Sequence, residues 1–187
     1  MTNRTWGGLH GGQDSFEAQL RSSIRDIPDF PKPGVTFKDI TPLLNDPVAF
    51  ASTVDVLAGA FITAKIDRVL GVEARGFIFA APVAYRLGAG FVPVRKAGKL
   101  PRAAHAVSYS LEYGEATLEV HKDAIAPGER VLLVDDVLAT GGTAVATRQL
   151  VEACGGVATG AAVLMELSFL DPRSVTGDLP IATLLTI

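Results

Sequence analysis

One segment, residues 131–143, constrains the fold of this chain more than any other part of the sequence. It opens with a wholly apolar run, 131–134, which predicts a buried strand, and two carboxylates, Asp135 and Asp136, follow where that strand is expected to end. A loop of small residues then leads into a predicted helix over 143–154. Because ligands of open parallel sheets bind beyond the carboxyl ends of the strands, a ligand is expected at this loop.

The composition of that loop suits a phosphate group. Gly141 and Gly142 allow backbone N–H groups to approach an anion closely, the start of the next helix adds a partial positive charge, and Thr140 and Thr143 offer hydroxyl donors. The paired carboxylates suit hydroxyl groups or a metal-bound sugar, so the whole segment fits a ribose 5-phosphate.

The alternative interpretations are a glycine turn that only connects two elements and an aspartate that only caps a helix. Neither the dinucleotide-binding pattern nor the Walker pattern occurs in the sequence.

Strands and helices alternate along most of the chain. Apolar runs predict strands over 69–72, 91–94 and 161–165, and alternating residues predict another over 117–121. Apolar residues at helical spacing predict helices over 16–27, 46–61 and 77–87. This alternation favours an α/β fold, with a mostly parallel twisted sheet flanked by helices on both faces.

Two segments lack such patterns. Residues 1–13 are rich in glycine and are expected to form a disordered extension, which leaves 14–187 as a single domain. Residues 96–110 contain Gly98 and Pro101 with little periodicity, so they are predicted to form a long, mobile loop.

Charge and composition exclude several classes of protein. With 17 Lys and Arg against 20 Asp and Glu, the net charge of −3 argues against a protein that binds nucleic acid through bulk positive charge. The longest stretch without a charged residue, 153–165, is too short to cross a bilayer, and the N-terminus lacks the apolar core of a signal peptide. The single Cys154 cannot form an internal disulfide. We therefore expect a cytoplasmic protein without a membrane or nucleic-acid partner.

The segment 131–143 resembles the phosphoribosyl-pyrophosphate-binding motif of the type I phosphoribosyltransferases. Four further segments, 27–44, 73–77, 95–101 and 108–114, resemble the adenine phosphoribosyltransferase branch, and they occur in that family's order from about Leu20 to the C-terminus. The resemblance implies the family's fold, with a small N-terminal hood and a flexible lid loop. It also implies a purine-salvage transferase, a glycosyltransferase that joins adenine to phosphoribosyl pyrophosphate and releases AMP and pyrophosphate.

The resemblance also implies roles for individual residues. The 5-phosphate is expected on Ala139, Thr140, Gly141, Gly142 and Thr143, and the ribose hydroxyls on Asp135 and Asp136. Pyrophosphate is expected on Arg75, Arg95, Lys96 and Lys99, and adenine against Thr36, Phe37 and Lys38. Catalysis is assigned to Glu112, as general acid or base, and to Arg75, while Tyr113 is expected to pack in the closed lid.

Three further expectations follow from the resemblance. The cofactor is Mg²⁺, which reaches the site on the pyrophosphate donor and is not held directly by protein side chains. The partners are the two small-molecule substrates and a second copy of the chain in a homodimer. The peptide between Glu73 and Ala74 is expected to be cis.

Other interpretations of these residues stay open at this point. The basic cluster at 95–99 could be a solvated loop, Glu112 an ordinary exposed acid, and Phe37 a core residue. Lys38 stands where many relatives carry Arg, and a lysine cannot reproduce the planar guanidinium fork. The base could instead be a 6-oxopurine or orotate. A different class of protein is a transcription regulator that only senses phosphoribosyl pyrophosphate. Such a regulator would need a basic DNA-binding surface, and the net negative charge of the chain argues against one.

Overall fold

The computed structural model describes residues 10–110 and 115–187, and the chain divides into two compact units, Met1–Thr53 and Val54–Ile187. Most of the extension expected over 1–13 lies outside the described residues, although the first helix begins at His10, inside that segment. Gly11 and Gly12 have low helix propensity, and that weak local preference does not decide where a helix begins.

The first unit contains short elements around an antiparallel ribbon. In chain order they are α1 (His10–Ser22), β1 (Arg25–Ile27), β2 (Phe37–Asp39), α2 (Thr41–Asn45) and the start of α3 (Pro47–Gly59). β1 pairs with β2 in an antiparallel register that places Ile27 opposite Phe37. The helix predicted over 16–27 therefore ends early, because Pro28 disfavours helical backbone at the residue before it and the chain there joins β2. The predicted start of α3 is confirmed, since the Asp46 carboxylate accepts hydrogen bonds from its first turn.

The second unit is built on one sheet, which has seven strands in the described part of the chain. Its elements are β3 (Arg68–Val72), α4 (Gly76–Leu87), β4 (Gly90–Lys96), β5 (Ala104–Ser110), β6 (Glu115–His121), β7 (Arg130–Leu138), α5 (Gly142–Ala153), β8 (Val157–Glu166), the short 3₁₀ turn Ser168–Leu170, α6 (Arg173–Thr176) and β9 (Ile181–Thr186). The strand order is β5-β6-β4-β3-β7-β8-β9, parallel from β4 to β9. This arrangement confirms the predicted mostly parallel α/β fold.

The central strands β3 and β7 are buried. Leu70 of β3 and Leu132 of β7 have no exposed surface, and the side chains of Leu150 and Val151 from α5 belong to the core as well. A strand that is covered on both faces has a continuous run of apolar residues instead of an alternating pattern. This is why β3 and β7 could be predicted from the sequence. The helix predicted over 77–87 is also confirmed, and Gly88 ends it in the left-handed conformation.

β7 is longer than the sequence predicts. The expected end of the strand at Asp135 and Asp136 is wrong, because the strand continues to Leu138. The neighbouring strand β8 keeps pairing with it, with Val137 opposite Met165 and Leu138 opposite Glu166. Both aspartates are consequently fixed in a strand rather than in the loop that follows.

The mobile loop predicted over 96–110 is wrong for its second half. Residues 104–110 form β5, which pairs with β6 from Ala104 opposite His121 to Ser110 opposite Glu115. Val107 and Tyr109 pack against the core of this unit, which supplies the apolar contact that a free loop would lack. Tyr113, which is expected to pack in the closed lid, lies outside the described residues. None of the helices in the described ranges is long and apolar enough to span a membrane.

Candidate active site

The centre of the site is the carboxylate pair near the end of β7. Only 3% of Asp136 is exposed to solvent, and its backbone N–H donates a 2.9 Å hydrogen bond to Oδ1 of Asp135. β3 pairs with the strand as far as Val134, and β8 continues the pairing past it with Asp135 opposite Val163, so the strand is held in place at both carboxylates. They lie at the end of the sheet where ligands of parallel α/β proteins bind.

Arg75 provides the positive charge next to this pair. It caps the start of α4, and its Nε lies 2.9 Å from Oδ2 of Asp136. That oxygen is buried and receives no hydrogen bond from the described residues, so the contact is an ion pair without an aligned donor. A buried oxygen in this state is free to accept a hydrogen bond from a ligand.

The surroundings of the pair favour its protonated forms. Burial, and next the charge of Asp136, raise the pKa of Asp135 well above its ordinary range. Burial also raises the pKa of Asp136, although the charge of Arg75 opposes that shift. One guanidinium therefore faces two carboxylates, the buried Asp136 and the half-buried Asp135, and additional donors such as sugar hydroxyls would stabilise the cluster.

Gly76, the first residue of α4, allows this close arrangement. A Cβ atom at this position would lie 2.8 Å from Oδ1 of Asp135 and 3.0 Å from the carbonyl oxygen of Val134. Real side chains essentially never make such contacts, so only glycine lets the start of the helix reach β7. The absence of a side chain at Gly76 thus brings Arg75 and the two aspartates together.

The loop after β7 has the features expected of a phosphate site. Gly141 has φ +84°, a conformation that other residues rarely adopt, and α5 begins at the next residue. Ala139, Thr140 and Thr143 line the same cleft as Asp135. The N-terminus of a helix of this length, preceded by a glycine turn, offers an anion both backbone donors and the positive end of the helix dipole.

Tyr109 is part of this cleft, and it is not among the site residues predicted from the sequence. It lies near the end of β5, and the Thr143 hydroxyl donates a 3.2 Å hydrogen bond to its phenol oxygen. The alternation of Val107 and Tyr109 in a stretch of small and polar residues was the signal that could have identified both the strand and the direction of this side chain.

The basic residues of β4 are held by a carboxylate. Oε2 of Glu73 accepts hydrogen bonds from Nε of Arg95 at 2.9 Å and from the backbone N–H of Lys96 at 3.0 Å. The bond from Arg95 is the main reason that the pKa of Glu73 lies below its usual range. Lys96 lines the cleft with Arg75 and Asp136, whereas Lys99 lies exposed in the turn that follows. The cis peptide expected between Glu73 and Ala74 is confirmed.

The residues expected to bind adenine belong to the first unit. Phe37 begins β2, and its ring meets that of Phe30 edge to face, with 5.2 Å between the centroids. Nζ of Lys38 lies 2.7 Å from Oδ1 of Asp26 on β1, so this side chain forms an ion pair within the ribbon. Thr36 precedes β2 and is exposed. Base binding by these three residues stays a prediction.

The two lid residues, Glu112 and Tyr113, lie outside the described residues, and their roles stay predictions. Within the described ranges, no group of three or more His, Cys, Asp or Glu side chains could hold a metal ion.

Comparison with known proteins identifies the family. The family model described as a phosphoribosyl transferase domain matches residues 49–175. An adenine phosphoribosyltransferase from Nocardioides sp. is 62% identical over 186 residues, which cover 96% of this chain and 99% of the relative. The structure of adenine phosphoribosyltransferase from Rhodothermus marinus has a TM-score of 0.89 and 48% identity, covering 93% of this chain and 99% of that one.

A third comparison adds bound ligands. The enzyme from Saccharomyces cerevisiae, solved with an imino-altritol bisphosphate and adenine, has a TM-score of 0.86 and 41% identity over 92% of this chain and 99% of that one. Family match, sequence identity and fold all agree with the carboxylate pair and glycine loop described above. The chain belongs to the adenine phosphoribosyltransferase family of type I phosphoribosyltransferases.

Proposed function

We propose that this protein transfers the 5-phosphoribosyl group of phosphoribosyl pyrophosphate to adenine, giving AMP and pyrophosphate in purine salvage. The observation that carries the proposal is the pairing of two carboxylates, the buried Asp136 and the half-buried Asp135, with a glycine loop at a helix start, in a chain that belongs to this family. The pair binds the ribose hydroxyls and the loop binds the 5-phosphate, so the sugar is held at both ends.

In the reaction, the bond from carbon 1 of the ribose to pyrophosphate breaks and a bond to a ring nitrogen of adenine forms. Positive charge develops on the ribose and negative charge on the departing pyrophosphate. Arg75 and Lys96, which line the cleft beside Asp136, stabilise that negative charge, and Arg95 and Lys99 add to it from β4 and its turn. Fixing the ribose at both ends holds carbon 1 in line between the base and the leaving group.

The residues of the cleft also fit Mg²⁺ carried by the donor. Oδ2 of Asp136 is buried and accepts no hydrogen bond from the residues that the structure describes, and hard carboxylate oxygens are ligands that Mg²⁺ prefers. The ion supplies charge neutralisation on the pyrophosphate when it is bound. Asp135 and Asp136 are the residues that would face it, through the sugar hydroxyls or through water.

Glu112 is proposed to accept the proton that adenine loses as its ring nitrogen bonds to the ribose. We expect Glu112→Gln to lower kcat more than it weakens binding of phosphoribosyl pyrophosphate, because the amide cannot take up the proton. Steady-state kinetics with both substrates varied test this. If kcat stays within about twofold, Glu112 is only a lid residue.

The choice of base is tested directly by turnover. The support for adenine comes from the family and from the yeast relative that was solved with adenine. Purified protein is assayed with phosphoribosyl pyrophosphate, Mg²⁺ and each of adenine, hypoxanthine, guanine and orotate. We expect AMP formation and little turnover of the other bases, and activity with an oxopurine or orotate alone would contradict the proposal. Binding of adenine to Phe37, with Thr36 and Lys38 beside it, is part of the proposal.

A homodimer and a cytoplasmic location complete the proposal. Both rest on the resemblance to the family, whose relatives match nearly the whole chain. Sedimentation of the purified protein tests the first, and a sedimentation coefficient that corresponds to 19.6 kDa would contradict it.

A further inference from the structure

An ion pair between a buried glutamate and a half-exposed arginine lies outside the cleft and has no part in the reaction described above. Glu166, the last residue of β8, is 5% exposed, and its two carboxylate oxygens accept hydrogen bonds from Arg173 at 2.8 and 2.7 Å. The Thr183 hydroxyl of β9 donates a third bond to the same carboxylate at 3.0 Å. This two-pronged geometry fixes the direction of the guanidinium as well as its distance.

The pair determines where α6 lies. Arg173 is the first residue of that helix, so its bonds to Glu166 fasten the helix to the end of β8. α6 has a single turn and one buried residue, Thr176, so it has little core packing of its own. The ion pair is therefore a main attachment of α6 to the sheet.

α6 in turn packs against the phosphate loop. A Cβ atom at Gly141 would lie 2.5 Å from Cγ2 of Val175, 2.8 Å from the carbonyl oxygen of Pro172 and 3.3 Å from Cγ2 of Thr176. The backbone of the loop thus rests directly on α6, at the residue whose left-handed conformation turns the chain into α5. A shift of α6 would change the space behind this turn.

We propose that Glu166 and Arg173 are positioning residues for the 5-phosphate: they hold α6 against Gly141 and so fix the backbone donors of the loop. The inference rests on the proposed function, because it takes the loop as the 5-phosphate site. Binding sites of this kind need their donors placed to within about half an ångström. The contacts that fix α6 behind the loop therefore affect how tightly the loop binds the phosphate.

A second ion pair in the same region serves as a matched control. Arg148 of α5 contacts Asp178, two residues after the end of α6, at 2.8 Å. It connects α5 with the segment that follows α6, but 88% of the Asp178 side chain is exposed, and neither residue is among the nearest contacts of Gly141. Loss of Asp178 should therefore leave the loop in place.

The test compares Arg173→Ala, Arg173→Lys and Asp178→Ala with the unmodified protein, each well below its own Tm. Calorimetric titration with ribose 5-phosphate measures binding at the loop, and kinetics give KM for phosphoribosyl pyrophosphate and for adenine. We expect Arg173→Ala to raise the Kd for ribose 5-phosphate about tenfold, or about 1.4 kcal/mol, and to raise KM for the donor similarly. KM for adenine should stay within about twofold, Arg173→Lys should restore part of the affinity, and Asp178→Ala should match the unmodified protein.

A purely structural role would give a different result. If Arg173→Ala lowers Tm but leaves the Kd for ribose 5-phosphate within about twofold, the inference is wrong. Should that variant fail to fold, Val175→Ala removes the atom nearest Gly141 and leaves the ion pair intact; since Val175 is 54% exposed, the variant is expected to fold. We expect its Kd to rise about threefold, and an unchanged Kd would overturn the inference.

One further variant separates the two proposals. Thr143→Val removes a hydroxyl of the loop itself. If it weakens binding of ribose 5-phosphate and Arg173→Ala does not, only the positioning role fails. If neither variant changes that binding, the loop is not the 5-phosphate site and the proposed function is contradicted as well.

Discussion

Two buried carboxylates in this protein each pair with an arginine, and their surroundings differ. Glu166 receives two hydrogen bonds from Arg173 and one from Thr183, and the bonds from Arg173 are the main reason that its pKa lies below the ordinary range. Asp136 contacts Arg75 through an oxygen that has no aligned donor, and burial raises its pKa.

The difference shows which site is completed by the protein and which one requires a ligand. Every carboxylate oxygen of Glu166 has a partner within the chain, so this pair can contribute to stability and to the position of α6. The cluster around Asp136 leaves a buried acceptor without a donor and sets two acids beside one guanidinium, which costs stability in the free protein. A ligand that brings hydroxyl donors and positive charge offsets that cost.

The largest expected effect is on catalysis, at the incomplete site. Asp136→Asn should lower kcat/KM by about 100-fold or more, because the neutral amide loses the charge that we propose to hold the ribose and to face the developing cation. Steady-state kinetics measure the loss, and circular dichroism checks that the fold is retained. Asp178→Asn, which changes an exposed carboxylate, serves as the control. Kinetics within about threefold of the unmodified protein would remove the acid pair from the mechanism.

The next effect is on stability, at the completed site. Glu166→Ala should lower the free energy of unfolding by about 2 kcal/mol, since Arg173 and Thr183 lose their acceptor, although the arginine is half exposed and regains some water. Urea denaturation measures this change. Glu152→Ala is the matched control, because that carboxylate also pairs with an arginine but is exposed, and its loss should cost less than about 0.5 kcal/mol. If both variants lose the same free energy of unfolding, the burial of Glu166 does not increase the contribution of its ion pair to stability.

The smallest expected effect is a gain in stability, and its size depends on pH. The pKa of Asp135 is higher in the folded protein than its ordinary value of 3.8, so the unfolded chain loses this proton first as the pH rises, and the folded state becomes less stable. Asp135→Asn removes that cost and should raise Tm at pH 7 by about 2–4 °C, while turnover falls.

The pH dependence provides the check on this substitution. The gain in Tm should shrink as the pH falls through the raised pKa of the folded state, and it should vanish well below the ordinary value of 3.8, where Asp135 is protonated in both states. The contribution of Glu166 runs the other way: it is present above the ordinary value of 4.5 and is lost as the pH falls through the lowered pKa of the folded state. A Tm gain for Asp135→Asn that does not change with pH would contradict the assignment of a raised pKa.

Local patterns predicted the elements that are buried on both faces or bounded by strong signals. The apolar runs of β3 and β7 and the helix closed by Gly88 needed no distant information. The site at the end of β7 was predictable for the same reason, since Asp135 and Asp136 adjoin a recognisable strand and a glycine loop.

What the sequence did not predict depends on residues far apart in the chain. β7 continues past the aspartates because β8 pairs with it there, and β5 is a strand because β6 lies beside it. The contact between Thr143 and Tyr109 joins residues on two different elements, and neither local pattern indicates it. The attachment of Arg173 to Glu166 likewise depends on where the chain returns after β8, which no local spacing specifies.

The bond between Glu73 and Arg95 has a consequence for the choice of anion. A carboxylate already occupies this guanidinium, and it also accepts the N–H of Lys96, so an incoming anion must compete with a neighbour that is present at all times. A small monoanion such as chloride gains little from that exchange. The pyrophosphate group that we propose to bind here carries several charges and would also meet Arg75 and Lys96, which line the same cleft, so it would outcompete the carboxylate. If the donor binds as proposed, Glu73 is a built-in competitor for its site, and it favours a polyanionic donor over the salt anions that are abundant in solution.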